Sequence, residues 1–302
     1  MIENKTASAI PLAHALTIDV EDYFQVSAFS GTINRETWDQ IPCRVEANVD
    51  RILGLLNEHN AKATFFTLGW IAQRFPSVVK QIVSNGHELA SHGYGHHRIQ
   101  EFTPKAFRED IVLAKKLLED IGGASIRGYR APSFSVGKET LWAFDEIKAA
   151  GYAYSSSVYP VKHDLYGMPD APRFPYRVEN GLLEIPMTTA RFGERNVPAG
   201  GGGFFRLFPY QVSRRLIERV QREDAQRCMI YLHPWEFDPQ QPRPPGVRLK
   251  TRFRHYLNQG RTRERMRCLL ADFAWAPFRE VYRDVLAGRC AQQVGSESFA
   301  RP

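Results

Sequence analysis

Residues 63–96 read ATFFTLGWIAQRFPSVVKQIVSNGHELASHGYGH, and they contain the repeating unit of the fold. The β-branched and aromatic run at 63–68 predicts a buried strand. Pro76 stands near the first turn of a predicted helix that ends at Gly86, and residues 88–91 predict a second strand. A strand, a helix and another strand in this order are typical of a parallel βαβ unit.

The same alternation continues on both sides of this unit. Residues 15–20 form a short apolar run that predicts the first strand, and apolar residues recur at helical spacing between 45 and 56. Pro104 begins a predicted helix that ends at Gly122. Further strands are predicted at 126–130, 152–158, 182–185 and 228–232, and further helices at 139–150 and 209–224. Repeated βα units predict parallel strands, closed into a barrel or left as an open sheet.

The composition is that of an ordinary globular protein, with 43% hydrophobic and 24% charged residues among 302. No run approaches the roughly 20 apolar residues that span a membrane. Residues 1–13 lack the apolar block of a secretory signal, so we expect a cytoplasmic protein. The four cysteines are far apart, which argues against a structural zinc knuckle. The glycine run at 200–203 lacks the pattern of a phosphate loop and predicts a flexible loop near a substrate.

The stretch PQQPRPPG at 239–246 breaks regular structure and marks a boundary. The sequence therefore predicts an N-terminal arm at 1–13, a main domain at 14–240 and a basic helical extension at 241–302. Positions 243–289 contain 12 lysines and arginines and 4 acidic residues, which gives this stretch a net charge of +8. The whole chain has a net charge of +7. This surplus predicts contact with an acidic polymer or an anionic membrane surface, unless the extension packs on the main domain and its arginines only solvate it. Nucleic acid is not expected, because no zinc finger or RNA-recognition signature is present.

Two motifs place acids and histidines directly after predicted strands. In TIDVED at 17–22, Asp19 and Glu21 would project from the same side of a strand, so one acid could bind a cation while the other acts as a base. In SHGYGH at 91–96, a helical turn would put His92 and His96 on one face. Two imidazoles and a carboxylate leave the fourth position of a zinc ion open for hydrolysis. The alternatives are turn capping by the acids and ordinary surface histidines.

Two further motifs follow later strands. In GYRAPSF at 128–134, Arg130 could hold a carboxylate in a bidentate grip, or form a structural ion pair. In IYLHPWE at 230–236, His233 ends a strand. Because the pKa of a free histidine lies near neutrality, His233 suits a general acid, although a lone histidine there is more often part of the core.

In this order the four motifs resemble the signature of the polysaccharide deacetylases, carbohydrate esterase family 4, whose domain is called NodB-like. The resemblance covers about residues 12–238. The segments TIDVEDYF at 17–24, HDLYGMPDAPRFPY at 163–176 and GGGFFRLFPY at 201–210 are similar to a subgroup associated with exosortase and exopolysaccharide clusters. The resemblance implies a distorted (β/α)7 barrel with a C-terminal helical extension. It also implies a metal-dependent hydrolase that removes N-acetyl groups from the amino sugars of a polysaccharide or its lipid-linked precursor.

The resemblance also assigns roles to residues. Asp19 matches the general base, Arg130 the arginine that orients it, and His233 the general acid. His92 and His96 match the metal ligands. In the family a second aspartate follows the first directly and binds the metal, but Val20 stands there, so Glu21 or, less favourably, Asp22 must supply the carboxylate. The aspartate that tunes the acid histidine is also missing around 154–157, and Asp164 or another acid would have to replace it.

The expected cofactor is one divalent metal, zinc first, although the same ligands accept cobalt, manganese or nickel. A backbone N–H, that of Ser133, is the candidate partner for the oxyanion, and Phe204 and Trp235 are candidates to stack on sugar rings, with Phe205 and Tyr159 beside them. For each aromatic residue the alternative is a place in the core. Two rival functions stay open: an allantoinase-like amide hydrolase on the same barrel, and an inactive carbohydrate-binding protein.

Overall fold

Strands and helices alternate along most of the chain. The structure, a computed structural model, describes residues 13–164, 166–289 and 292–295, so nearly all of the predicted arm at 1–13 lies outside the described residues. The strands are β1 (His14–Val20), β2 (Thr64–Thr67), β3 (Glu88–Ser91), β4 (Gly128–Tyr129), β5 (Tyr154–Ser155), β6 (Tyr176–Arg177), β7 (Leu183–Glu184), β8 (Thr189–Phe192), β9 (Arg195–Pro198), β10 (Met229–Leu232), β11 (Trp275–Ala276) and β12 (Gln292–Gln293). The helices are α1 (Val45–Glu58), α2 (Gly69–Arg74), α3 (Pro76–Ser84), α4 (Pro104–Gly122), α5 (Ala143–Ala149), α6 (Gly202–Leu207), α7 (Tyr210–Arg219), α8 (Leu249–Tyr256), α9 (Gln259–Asp272), α10 (Phe278–Val281) and α11 (Arg283–Leu286).

Seven strands form a curled parallel sheet in the order β10-β1-β2-β3-β4-β5-β7. Strand β6 adds to β7 in the antiparallel direction, and β12 lies beside β6. Among the described residues no strand pairing joins this end of the sheet back to β10, so the barrel stays open there. The distorted (β/α)7 barrel predicted from the sequence, with helices after it, is confirmed.

The best-predicted helix is α4, whose two ends have clear signals. The side chain of Thr103 accepts a hydrogen bond from the amide of Ala106, and Pro104 occupies the first turn. Gly123 ends the helix in the left-handed conformation, with φ of 61°. A cap such as Thr103 stabilises a helix by about 1 kcal/mol. The apolar face at Phe107 and Ile111 is buried against the sheet core, which fixes the helix on the barrel.

Several predicted strands are much shorter than expected. The runs at 126–130, 152–158 and 182–185 contain only the two-residue strands β4, β5 and β7. Past β5 the backbone leaves the ladder, because the amides of Ser157 and Val158 donate to the carboxylate of Glu184. Buried side chains therefore replace part of the strand pairing at this rim of the barrel.

The glycine run at 200–203 is not the flexible loop that we expected near a substrate. Gly201 pairs with Tyr231 of β10 in a parallel bridge, and α6 begins at Gly202. Both glycines have positive φ, and a Cβ on Gly201 would lie 2.3 Å from the carbonyl oxygen of Tyr231. The glycines thus let the backbone approach β10. Helix α6 and the hairpin β8–β9 had no predicted counterpart.

The segment after position 240 packs on the barrel rather than standing apart from it. Strand β11 pairs with β1, and Leu269 and Leu270 of α9 belong to the main core. The amide of Phe278 donates to the side chain of Thr64, and its ring contacts the barrel interior at Phe66. Within the described residues no helix is both long enough and apolar enough to cross a membrane.

Candidate active site

A cleft of about 320 Å³ opens at the carboxyl ends of the parallel strands. Asp19 is the second-to-last residue of β1 and Glu21 follows that strand, His92 and His96 follow β3, and His233 follows β10. All five residues line the cleft. Parallel strands bring their carboxyl ends to one rim, so residues that are distant along the chain meet there.

Glu21, His92 and His96 form a cluster of three potential metal ligands. Their candidate ligand atoms lie within 4.8 Å of one another, and all three residues are buried. Nε2 of His96 lies 2.5 Å from Oε2 of Glu21. Nδ1 of His92 lies 2.8 Å from the carbonyl oxygen of Arg130, which leaves Nε2 of His92 for a ligand.

The ionisation of this cluster suits a cation. Burial lowers the pKa of His92 to about 4, and His96 adds to the effect, so the His92 imidazole is neutral at neutral pH. Burial alone would raise the pKa of Glu21, but the adjacent His96, which also hydrogen-bonds the carboxylate, and the charge of His233 outweigh burial and hold that pKa below its usual value. Two imidazole nitrogens and a carboxylate oxygen are the donor set of a hydrolytic zinc site with one open position. The residues therefore fit a divalent metal.

The two histidines do not share a helical turn, as the spacing had suggested. Residues 92–98 are irregular, and Gly93 and His96 have positive φ, at 74° and 52°. Arg35 donates to the carbonyl oxygens of Gly95 and His96 and so holds this loop. The imidazole rings of His92 and His96 nevertheless meet, with centroids 5.4 Å apart. An irregular loop held by Arg35 therefore takes the place of the predicted helical turn.

Arg130 lies under the cleft and holds Asp19. Its Nη1 donates to Oδ1 of Asp19 over 2.6 Å and to the hydroxyl of Thr17 over 2.8 Å. Its other nitrogens donate to the carbonyl and hydroxyl oxygens of Ser156, and the guanidinium carbon lies 4.0 Å from the centre of the Phe66 ring. The arginine is fully buried. Because every edge of its guanidinium is engaged, Asp19 has a fixed orientation, with Oδ2 towards His233 at 4.0 Å.

Asp22, the less favoured ligand candidate, points away from the histidine pair. Its carboxylate accepts hydrogen bonds from the backbone amides of Tyr23, Arg44 and Val45. Val45 begins α1, so Asp22 satisfies amides at the start of that helix. Burial raises the pKa of Asp22 to about 6, although these amide bonds oppose the shift. Glu21 is left as the carboxylate of the cluster.

His233 lies between the acidic residues of the cleft and a second buried carboxylate. Its Nε2 is 3.8 Å from Oε1 of Glu21, and its Nδ1 is 3.4 Å from Oε1 of Glu236. Glu236 is itself paired with Arg206 over 3.1 Å. Burial alone would lower the pKa of His233, but the contact with Glu236 and the charges of Glu236, Glu21 and Asp19 raise it to about 9. His233 is therefore a proton donor across the neutral range.

Glu236 is the residue that the sequence analysis missed. Asp164, the acid named as a replacement, pairs with Lys250 and Arg254 at the surface. Glu236 lies three positions after His233, at the end of a short 3-10 turn from Pro234 to Phe237. In such a turn side chains three positions apart lie on the same side, so the motif HPWE contains the signal that could have identified Glu236.

The three predicted substrate contacts have different outcomes. Ser133 lines the cleft in the left-handed conformation, and its hydroxyl lies 2.7 Å from that of Ser27. Phe204 is not among the lining residues, because its segment forms helix α6, which packs Phe205 into the core. Trp235 reaches the cleft but is only 5% exposed. Its ring is stacked against His233 and His255, so little of it is left for a sugar. Tyr159 is fully buried.

Two family models together match most of the chain. The model described as polysaccharide deacetylase matches residues 36–155, and one described as a domain of unknown function, DUF3473, matches residues 156–283. The peptidoglycan-N-acetylglucosamine deacetylase of Bacillus cereus is 33% identical over 124 residues, which are 39% of this chain and 44% of that protein. The chitooligosaccharide deacetylase of Azorhizobium caulinodans is 37% identical over 79 residues, 26% of this chain and 38% of that protein. The chain thus spans less than half the length of these curated relatives.

A solved structure matches almost the entire chain. A Mycobacterium smegmatis protein described as a polysaccharide deacetylase has a TM-score of 0.60, with 20% sequence identity. The match covers 94% of this chain and 98% of that one. At this identity the match shows a shared fold, which includes the segment after position 240.

Proposed function

Since this chain belongs to the polysaccharide deacetylase family, we propose that it is a metal-dependent hydrolase that removes N-acetyl groups from amino sugars. One observation carries the proposal: the pair of Asp19 and Arg130 lies beside the Glu21, His92 and His96 cluster, with His233 facing both carboxylates. A base, a metal site and an acid around one cleft are what amide hydrolysis needs. We propose that residues 14–240 form the catalytic domain and that residues 241–302 support its structure.

We propose that Glu21, His92 and His96 hold the metal. Zinc is the preferred candidate, and cobalt, manganese or nickel are the alternatives. Bound there, a divalent cation acidifies a water molecule and polarises the acetyl carbonyl. Asp19 accepts the proton of the attacking water. Arg130 keeps Asp19 in place for this step, because its guanidinium binds Oδ1 and leaves Oδ2 towards the cleft.

His233 then protonates the departing amine and releases the free amino sugar and acetate. Its position 4.0 Å from Asp19 and its raised pKa support this role. Glu236 holds the imidazole from the opposite nitrogen and keeps it charged. For the tetrahedral oxyanion we propose the backbone N–H of Ser133, which lies in the loop after Arg130 at the cleft wall.

As substrate we propose an acetylated amino-sugar polymer or its lipid-linked precursor. The relatives are described as peptidoglycan and chitooligosaccharide deacetylases, and this supports an acetylated amino-sugar polymer. The similarity to the exosortase-associated subgroup supports a role in exopolysaccharide biosynthesis. The cytoplasmic location stays a prediction from the sequence.

For a lipid-linked substrate we propose docking of α8 on an anionic lipid surface. Leu249 and Phe253 lie one helical turn apart and are 82% and 61% exposed. Lys250 and Arg254 each directly follow one of these apolar residues, and both form ion pairs with Asp164. Asp164 stands two positions before Tyr166, which lines the cleft. Basic residues near such a surface contribute roughly 1 kcal/mol each. The double substitution of Leu249 and Phe253 by serine should abolish sedimentation with phosphatidylglycerol vesicles, and equal binding to neutral vesicles would contradict the charge argument.

The deacetylase proposal is tested by acetate release from a panel of N-acetylated oligosaccharides. Release should stop with a chelator and return with zinc. Allantoin serves as the comparison substrate for the rival amide hydrolase. Turnover of allantoin alone would overturn the sugar assignment, and binding of oligosaccharide without any release by the zinc-loaded protein would favour the inactive binder.

A further inference from the structure

Trp235 connects the proposed metal site to the C-terminal segment. Its indole Nε1 donates a hydrogen bond of 3.0 Å to Oε1 of Glu21. On the indole ring lies His255 of α8, with centroids 4.2 Å apart and planes inclined by 15°. A hydrogen bond to a carboxylate orients it only if the donor itself is fixed. The position of Glu21 therefore depends on what holds this tryptophan.

His255 is anchored on several sides. Its Nε2 lies 2.8 Å from Oε1 of Gln241, and the amide nitrogen of the same glutamine donates to the carbonyl of Trp235 over 2.7 Å. The ring of Phe29 lies 4.6 Å from the imidazole. Burial, with a contribution from Arg206, lowers the pKa of His255 to about 3. The imidazole is thus neutral, and it acts on Trp235 by packing rather than by charge.

The backbone around His255 is fixed by a side chain from the barrel. Nη1 of Arg206 donates to the carbonyl oxygens of His255 and Leu257, over 2.8 and 2.9 Å. The same arginine pairs with Glu236, the carboxylate behind His233. Arg265 of α9 in turn donates to the carbonyl of Arg206. These contacts hold the C-terminal segment against the turn that follows β10.

We propose that the C-terminal segment is a positioning part of the metal site, in which His255 holds Trp235 so that the indole N–H stays on Glu21. This inference rests on the proposed metal ligands, and it goes beyond both sequence-based expectations for the extension, contact with an anionic partner and packing on the main domain. Neither Trp235 nor His255 need touch the substrate. Outer partners of metal ligands typically change metal affinity by about 10- to 100-fold when removed.

The test is a zinc titration of the metal-free full chain against a competing chromogenic chelator. Trp235→Phe keeps an aromatic ring and removes the N–H, whereas His255→Ala removes the packing and leaves the N–H. Each should weaken zinc binding by about 10- to 100-fold. Because both act through one hydrogen bond, the double variant should bind zinc no more weakly than Trp235→Phe alone. Thr251→Ala, on the same helix, is the control and should match the wild type.

Comparison of the two single variants with the double variant separates a positioning role from a general loss of structure. Independent effects that multiply in the double variant would overturn the proposal, as would wild-type zinc affinity in His255→Ala. His255→Phe, which restores a ring on Trp235, should recover most of the affinity, and failure to do so in a variant with a normal melting temperature would also count against it. Zinc binding is measured without substrate, so a protein that binds zinc but releases no acetate would refute the deacetylase proposal alone.

Discussion

Replacing Glu236 by glutamine should change how the rate depends on pH. His233 must carry a proton to act as the acid, so the rate is retained below its pKa and lost as pH rises through it. Glu236 lies 3.4 Å from Nδ1 of His233 and is a main cause of the raised pKa of about 9. Without this charge the pKa of His233 falls. The basic limb of the profile should therefore move to lower pH.

The size of this shift follows from the distances. Two unit charges 3.4 Å apart attract by about 5 kcal/mol at an effective dielectric constant of 20. Arg206 binds the same carboxylate oxygen over 3.1 Å and offsets part of this attraction. An opposite charge at such a distance typically shifts a pKa by about 1–3 pH units, or about 1.4–4 kcal/mol. A bound cation lowers the pKa of His233 in both proteins, so the difference between them is the informative quantity.

The assay is kcat/KM for acetate release between about pH 5 and 10, on wild type and Glu236→Gln. His233→Ala is the reference, because a protein without the acid should lose the basic limb altogether. Zinc content and melting temperature show whether the unpaired Arg206 has disturbed the fold. A basic limb at the wild-type position, in a variant that is folded and holds zinc, would refute the assigned tuning role of Glu236.

Three further predictions concern the site and the segment after it. His92→Ala should lose the bound metal by elemental analysis, whereas His97→Ala, which removes a half-exposed histidine of the same loop, should keep it; equal metal content in both would contradict the ligand assignment. Asp19→Asn should abolish acetate release while metal stays bound, since a base that is not a ligand affects only the chemistry. Near-normal turnover would mean that another group is the base. Truncation after Asp238 should give a protein that melts early or aggregates, because β11 and Phe278 pack on the barrel; a stable, zinc-binding truncated protein would show that the segment is separable.

The location of the site could be predicted because its residues follow strands. Asp19, His92 and His233 come directly at or after short apolar runs, and parallel strands bring their carboxyl ends together. The loop that carries His96 could not be predicted, since its shape depends on Arg35 from a distant segment. Strand lengths were wrong where buried side chains such as Glu184 take the place of ladder bonds. Hydrophobic periodicity reports neither kind of contact.

His255 had no sequence signal at all. It stands beyond the predicted boundary at 239–246, in a segment whose composition indicates a basic helical extension and no particular aromatic contact. Its function as proposed depends on an aromatic contact with Trp235, which lies 20 positions earlier. Stacking between residues at this separation follows no period of a helix or strand. Only the folded arrangement brings the two rings together.

The basic surplus of the C-terminal segment also has a different meaning once the arginines are located. Arg265 donates to the carbonyl oxygens of Phe205 and Arg206, and Arg279 donates to those of His87 and Gly86. A guanidinium group has five N–H donors and can satisfy carbonyl groups that helix ends and turns leave unpaired. These arginines therefore contribute to the net charge while acting as structural donors. A count of charges along the segment overstates the surface available to an anionic partner, and for this reason we restrict the proposed docking surface to α8.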